Sequence, residues 1–206
     1  MPSLLTFRNV SLFGDTEYGI SRVNIDIWLR KKYHFVLRND DQLNTLLGLF
    51  EKRYQPDGGA IYKKEKLFVQ SDRLILGDKI YEQLVEKWLA LSDEFFYFGG
   101  KRRSKSYFID LLKAKHIRYF PIYKLKGEDR LKFALLSLTF QESGLILISK
   151  LLVRGLDDHY REYLIRLINE THCTLCLFSS LENPPAEFSE TLQHPSIQKN
   201  DFSLIG

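Results

Sequence analysis

Short apolar and aromatic runs separated by turn residues open the chain. SLLTF (3–7), SRVNIDIWL (21–29), YHFVLR (33–38), GAIYKK (59–64) and KLFVQ (66–70) are rich in the β-branched and aromatic residues that favour strands, and they predict an N-terminal sheet region. Over 41–52 the period changes. Leu43, Leu46, Leu47 and Phe50 recur at helical spacing behind Asn39, Asp40 and Asp41, side chains that cap helix N-termini.

From Gly77 to about Lys115, the spacing of Ile80, Leu84 and Trp88, with a capping box SDEF at Ser92, predicts a mainly helical lobe. Residues 127–143 place Leu131, Ala134, Leu135 and Leu138 on one helical stripe, and GLILIS (144–149) follows as a continuously apolar strand. A further helix is expected from Asp157 to about Thr171, then a second apolar strand, CTLCLFS (173–179). Strands apolar on both faces and alternating with helices predict a parallel sheet covered on both sides. The end of the chain, PSIQKNDFSLIG (195–206), is expected to be a short strand or extended tail.

Composition narrows the picture only a little. At 206 residues, 44% hydrophobic and 14% aromatic, the chain can bury one sizeable core. Thirty Lys+Arg against 26 Asp+Glu gives a net charge of +4, too small an excess to identify a partner by itself. Two cysteines rule out a disulfide scaffold and fit a reducing compartment. MPSLLTFRNVSLFG has no secretory pattern and no apolar run reaches the roughly 20 residues of a membrane span, so a cytoplasmic location is expected. In HCTLC (172–176), Cys173 and Cys176 would point to opposite faces of a strand, so they are read as apolar packing residues; the five histidines show no ligand spacing, and no metal is expected. KRRSK (101–105) is read as a solvated loop between two helices, with lipid headgroups or an acidic partner as its functional alternative. It lacks the interleaved aromatics of a single-strand nucleic-acid groove, so no nucleic acid is expected.

From LTFRNVSLFG near the start to TLCLFSS near position 180, the order of landmarks resembles the nucleotide-binding domain of ABC transporters. VLRNDDQLNTLLGLF (36–50) stands where that family has its P-loop, LFVQ (67–70) where it has the strand ending in the Q-loop glutamine, LKGEDRLKFALLSL (125–138) at the signature, LILIS at Walker B and GLD (155–157) at the D-loop. The resemblance implies an α/β fold, P-loop NTPase-like of the ABC type: a mostly parallel sheet flanked by helices, an N-terminal antiparallel β region, and a helical lobe at about 77–126 inserted in a single domain spanning 1–206.

The motifs that handle ATP are degraded together. A P-loop needs glycines whose N–H groups wrap the phosphates, a Lys on the β/γ-phosphates and a hydroxyl on Mg²⁺. Aligned on TLL, this chain has Leu37 and Asp40 at the first two glycines, Gln42 at the last, Leu43 at the lysine and Asn44 at the hydroxyl. Ser149, Lys150 and Leu151 supply no Walker B carboxylate, Ser180 stands at the switch histidine, and Lys126 and Glu128 replace the signature Ser and second Gly. Gln70, Gly127 and Asp157 persist. Asp40 and Asp41 would stand where a phosphate binds, a placement the helix dipole favours by roughly 0.3–1 kcal/mol.

The expectation is a pseudo-ATPase: a non-catalytic, cofactor-free ABC-type subunit on the cytoplasmic face of a membrane. It would pair with an ABC-type ATPase subunit, or with a second copy of itself, and dock a membrane permease through Gln70, Asp72, Leu74, Leu76 and Tyr81. Lys126 and Gly127 would face the partner's ATP. The alternatives are a divergent active ATPase subunit and a soluble binding module on a degenerate P-loop fold.

Overall fold

A computed structural model describes residues 3–13, 18–64, 67–72, 82–90, 94–140, 144–149, 152, 156–170 and 173–181, and the backbone of 197–201. The chain forms two compact units, Met1–Ser71 with Ser143–Lys150 and Cys173–Gly206, and Asp72–Glu142 with Leu151–His172.

Two sheets build the first unit. β1 (Ser3–Leu12) lies between β2 (Ile20–Trp28) and β4 (Gly58–Lys63) in an antiparallel sheet. Gly59 has φ +78, and a Cβ there would lie 2.3 Å from the Asn9 carbonyl oxygen, so only glycine allows β4 to approach β1 this closely. The second sheet is parallel throughout. Its order is β10 (Ile197–Asp201), β3 (Lys32–Leu37), β9 (Thr174–Ser180), β8 (Leu145–Ile148) and β5 (Val69–Ser71). Every residue of β8 and β9 is buried, as continuous apolar runs in a parallel sheet require. Cys176 is part of this core, and burial pushes its thiol pKa well up.

Helix α1 (Asp40–Phe50) buries Leu43, Leu46, Leu47 and Phe50. The Phe50 ring lies 4.9 Å from Phe7 of β1, 5.6 Å from Phe35 of β3 and 5.3 Å from Phe178 of β9. One side chain at the end of α1 thus joins the antiparallel and parallel sheets through a single aromatic cluster.

The second unit contains α2 (Val85–Trp88), β6 (Phe95–Phe98), β7 (Lys101–Ser104), α3 (Lys105–Leu111), two 3₁₀ turns (Lys115–Tyr119 and Ile122–Lys124), α4 (Gly127–Thr139) and α5 (Asp158–Glu170). Phe108 is fully buried against Phe96, Phe98, Phe140 and Tyr163. The buried Tyr163 hydroxyl is hydrogen-bonded to Thr139 at 2.5 Å.

The lobe read from sequence at 77–126 falls inside this unit, with 77–81 outside the described residues. Its mainly helical character is corrected: β6 and β7 form an antiparallel hairpin. Gly99 and Gly100, at φ +61 and +70, supply the two left-handed residues of a primed hairpin turn, and FFYF alternates outward and inward with the period of a strand. KRRSK is likewise not a loop. Its first four residues are β7, and Lys105 opens α3 as a buried ammonium, 3.0 Å from Glu94 and 2.7 Å from the Ala90 carbonyl. The 195–206 tail supplies strand β10, paired in parallel with β3. No helix among the described residues is long and apolar enough to cross a membrane.

Replacing the ring that joins the two sheets leaves a cavity. Phe50→Ala is expected to lower the unfolding free energy by about 3–5 kcal/mol, read from the urea midpoint with the m-value unchanged.

Candidate functional site

Only Arg38 and Asn39 separate the last residue of β3 from the first residue of α1. Asn39 is the N-cap, extended at φ −138 and ψ 174, and its side-chain oxygen accepts from the Gln42 N–H at 2.8 Å. Gln42 reaches back, its side-chain oxygen accepting from the Arg38 N–H at 3.3 Å. Across the end of the sheet, the Ser180 hydroxyl at the tip of β9 donates to the Asp40 carboxylate at 2.5 Å. Asp41 adds a second carboxylate to the first turn. The first N–H groups of a helix lack intrahelical acceptors and attract anions. Here the Asn39 side chain caps one of these groups, and the carboxylates of Asp40 and Asp41 place negative charge in the first turn.

The remaining P-loop positions are equally committed. Leu37 and Leu43 are each 1% exposed and belong to the core, so the residue at the lysine position points inward. Asn44 is half-buried on α1. The neighbouring Thr45 hydroxyl donates to the Tyr18 carbonyl at 3.2 Å.

At the end of β8, Ser149 is buried, and Lys150 and Leu151 lie outside the described residues. Gln70 is half-buried in β5, paired with Ile146 of β8. Asp72 is fully buried in the second unit, where its carboxylate accepts from the Leu152 N–H at 3.3 Å. A carboxylate held in this way serves the interior of that unit. Leu74, Leu76 and Tyr81 lie outside the described residues.

In the second unit, Lys126 is the exposed N-cap of α4, and Gly127 follows at φ +50 with no atom within 4 Å of where a Cβ would stand. Glu128 is turned into local bonds. It accepts from the Tyr160 hydroxyl at 2.5 Å and lies 2.8 Å from the buried Lys132 ammonium. Its carboxyl is held below the usual range by the bond from Lys132 and then that from Tyr160, while desolvation and then the Glu128 contact push the Tyr160 phenol upward. Asp129 pairs with His116 at 2.7 Å. Asp157 caps α5, accepting from the Tyr160 N–H at 3.0 Å. Among the described residues no three His, Cys, Asp or Glu side chains gather as metal ligands would.

Comparison by sequence finds no matching family model and no matching curated protein. Comparison by structure is informative. A structure described as an ABC transporter ATP-binding protein from Pyrococcus furiosus superposes with a TM-score of 0.60 at 18% identity, over 96% of each chain. The chain has the fold of an ABC-type ATP-binding domain. A metal-chelate type ABC transporter in an inward-facing conformation gives a TM-score of 0.58 at 16% identity, over 86% of this chain and 73% of the other. A bacterial Atm1-family ABC exporter with ATP bound gives 0.63 at 14% identity, over 96% of this chain and 36% of the exporter's.

On this ABC-type fold, the sequence positions read as Walker A and switch residue come together as the Asp40–Ser180 hydrogen bond. Sequence reasoning did not find that bond, although N-x-x-Q at Asn39–Gln42 carried the signal of the reciprocal cap beside it. A double-mutant cycle tests the contact. Asp40→Ala and Ser180→Ala are each expected to destabilise the protein, with a coupling of about 1 kcal/mol or more; strictly additive losses would remove it from the account.

Proposed function

We propose that the chain is a non-catalytic ABC-type subunit of a membrane transport or remodelling complex, a pseudo-ATPase that pairs with a competent ATPase subunit and docks a permease. One observation carries this reading: the N-terminus of α1 is closed by Asn39, Asp40 and Gln42, while Leu43 is buried where a phosphate-binding lysine would project. A nucleotide phosphate brought there meets two carboxylates in one helical turn, no lysine and no glycine loop. Without charge neutralisation and positioning of the γ-phosphate, phosphoryl transfer loses its main sources of rate acceleration.

The signature end of the fold supports a remaining role in trans. Lys126 is exposed at a helix N-terminus followed by an unobstructed glycine, and Glu128 is drawn into bonds with Lys132 and Tyr160. An exposed cation at a helix N-terminus suits the γ-phosphate of an ATP held by another subunit. That the structurally similar chains include two ABC transporters supports placing the partner at a membrane, on its cytoplasmic face. Gln70 remains the described residue for permease docking.

The test is affinity capture of the tagged chain from mild-detergent extracts of its source organism. Co-recovery of a multi-span membrane protein and an ATPase with intact motifs is expected, and recovery of neither overturns the reading. In the recovered complex, Lys126→Ala is expected to lower ATP turnover by about ten- to a hundredfold, as loss of a hydrogen bond to a charged group does.

A further inference from the structure

The β6–β7 hairpin carries an unusual surface. Its register pairs Phe95 with Ser104, Phe96 with Arg103, Tyr97 with Arg102 and Phe98 with Lys101. Directly opposed residues share a face, so Phe95, Tyr97, Arg102 and Ser104 lie together. Phe96 and Phe98 turn the other way, onto Phe108, Phe140 and Tyr163 of the second unit's core. The face left outside is therefore both aromatic and basic: Phe95 is 56% and Tyr97 63% exposed, and the Arg102 guanidinium lies 5.0 Å over the Phe95 ring. Among the described residues no carboxylate forms an ion pair with Lys101 or Arg102, whereas Glu94 is taken up by Lys105. The hairpin is also held in place. The Gly99 N–H donates to the Glu170 carboxylate at the end of α5, and nothing lies within 4 Å of where a Cβ on either turn glycine would stand.

We infer that this hairpin is a docking element for an anionic lipid surface, inserting Phe95 and Tyr97 at headgroup depth while Arg102 on the same face, and Lys101 exposed beside the turn on the opposite face of the strand, meet lipid phosphates and carboxylates. A Tyr ring, with its polar hydroxyl edge, settles at the boundary between water and acyl chains, a Phe ring beside it buries apolar surface there, and a nearby Lys or Arg strengthens binding to an anionic leaflet about fivefold per charge. A four-residue strand face falls well short of the roughly 800 Å² per partner of a stable protein interface. Two outward rings do not form the stacking platform with a backbone-tracking groove that single-stranded nucleic acid needs. The inference goes beyond the pairing and docking proposed above and stands without them, because its test contains no permease and no ATPase.

The full chain is co-sedimented with phosphatidylcholine vesicles and with phosphatidylserine-rich vesicles, across a range of salt. Binding is expected only to the anionic vesicles, weakening as salt rises. Lys101→Ser with Arg102→Ser is expected to reduce it about 25-fold, and Phe95→Ser with Tyr97→Ser to abolish sedimentation, since all four side chains are outside the core. The charge-matched pair Lys31→Ser with Lys64→Ser, exposed in the first unit, is expected to leave binding unchanged. Failure to bind anionic vesicles, an equal loss from the control pair, or hairpin-dependent capture of a single-stranded oligonucleotide in preference to vesicles would each overturn the inference.

Discussion

The donors at the start of α1 have to be satisfied, and the way the chain does so governs the rest of the account. A helix that begins directly at the end of a parallel strand presents unpaired N–H groups and the positive end of its dipole at one edge of the sheet. In a phosphate-binding protein a glycine loop keeps that place open for a ligand. Here two connecting residues leave no loop to wrap an anion. Asn39 and Gln42 form a reciprocal cap, and Asp40 is tied to Ser180 at the tip of β9.

That closure is linked to the packing behind it. Leu43 and Leu46 continue from the cap into the core, and Phe50 at the far end of the same helix meets Phe7, Phe35 and Phe178. Helix, cap and aromatic cluster therefore act as one element, in which the inward turn of Leu43 and the anionic first turn follow from the same helical phase. A lysine at position 43 would place an ammonium in the core, with the desolvation cost that entails. The signature end behaves differently. Glu128 pairs with Lys132 and accepts from Tyr160, Asp129 bonds His116, and Lys126 stays exposed.

Much of the fold was legible because independent signals agreed. The runs at 144–149 and 173–179 are apolar on both faces and of strand length, and they became β8 and β9; the caps and apolar stripe of 41–52 became α1 almost residue for residue. The lobe was misread where signals conflicted. Ile80, Leu84 and Trp88 carry helical spacing, while the glycine pair and the alternation of FFYF decide a hairpin. The exposed aromatics beside KRRSK are not legible in that run for a related reason: they come from the neighbouring strand and are brought alongside by pairing. At the candidate site, the loss of phosphate-binding residue types could be read directly. The contact that replaces them could not, because Asp40 and Ser180 are 140 residues apart and meet only through the order β3–β9 of the sheet. The burial of Asp72 is not legible either, because the backbone N–H it accepts from belongs to Leu152, 80 residues further along the chain.

The central proposal is that the acidic first turn of α1 excludes a nucleotide phosphate. Isothermal titration of the purified chain with Mg·ATP tests it most directly. The account predicts no saturable binding below about 1 mM. One-to-one binding in the micromolar range would contradict it.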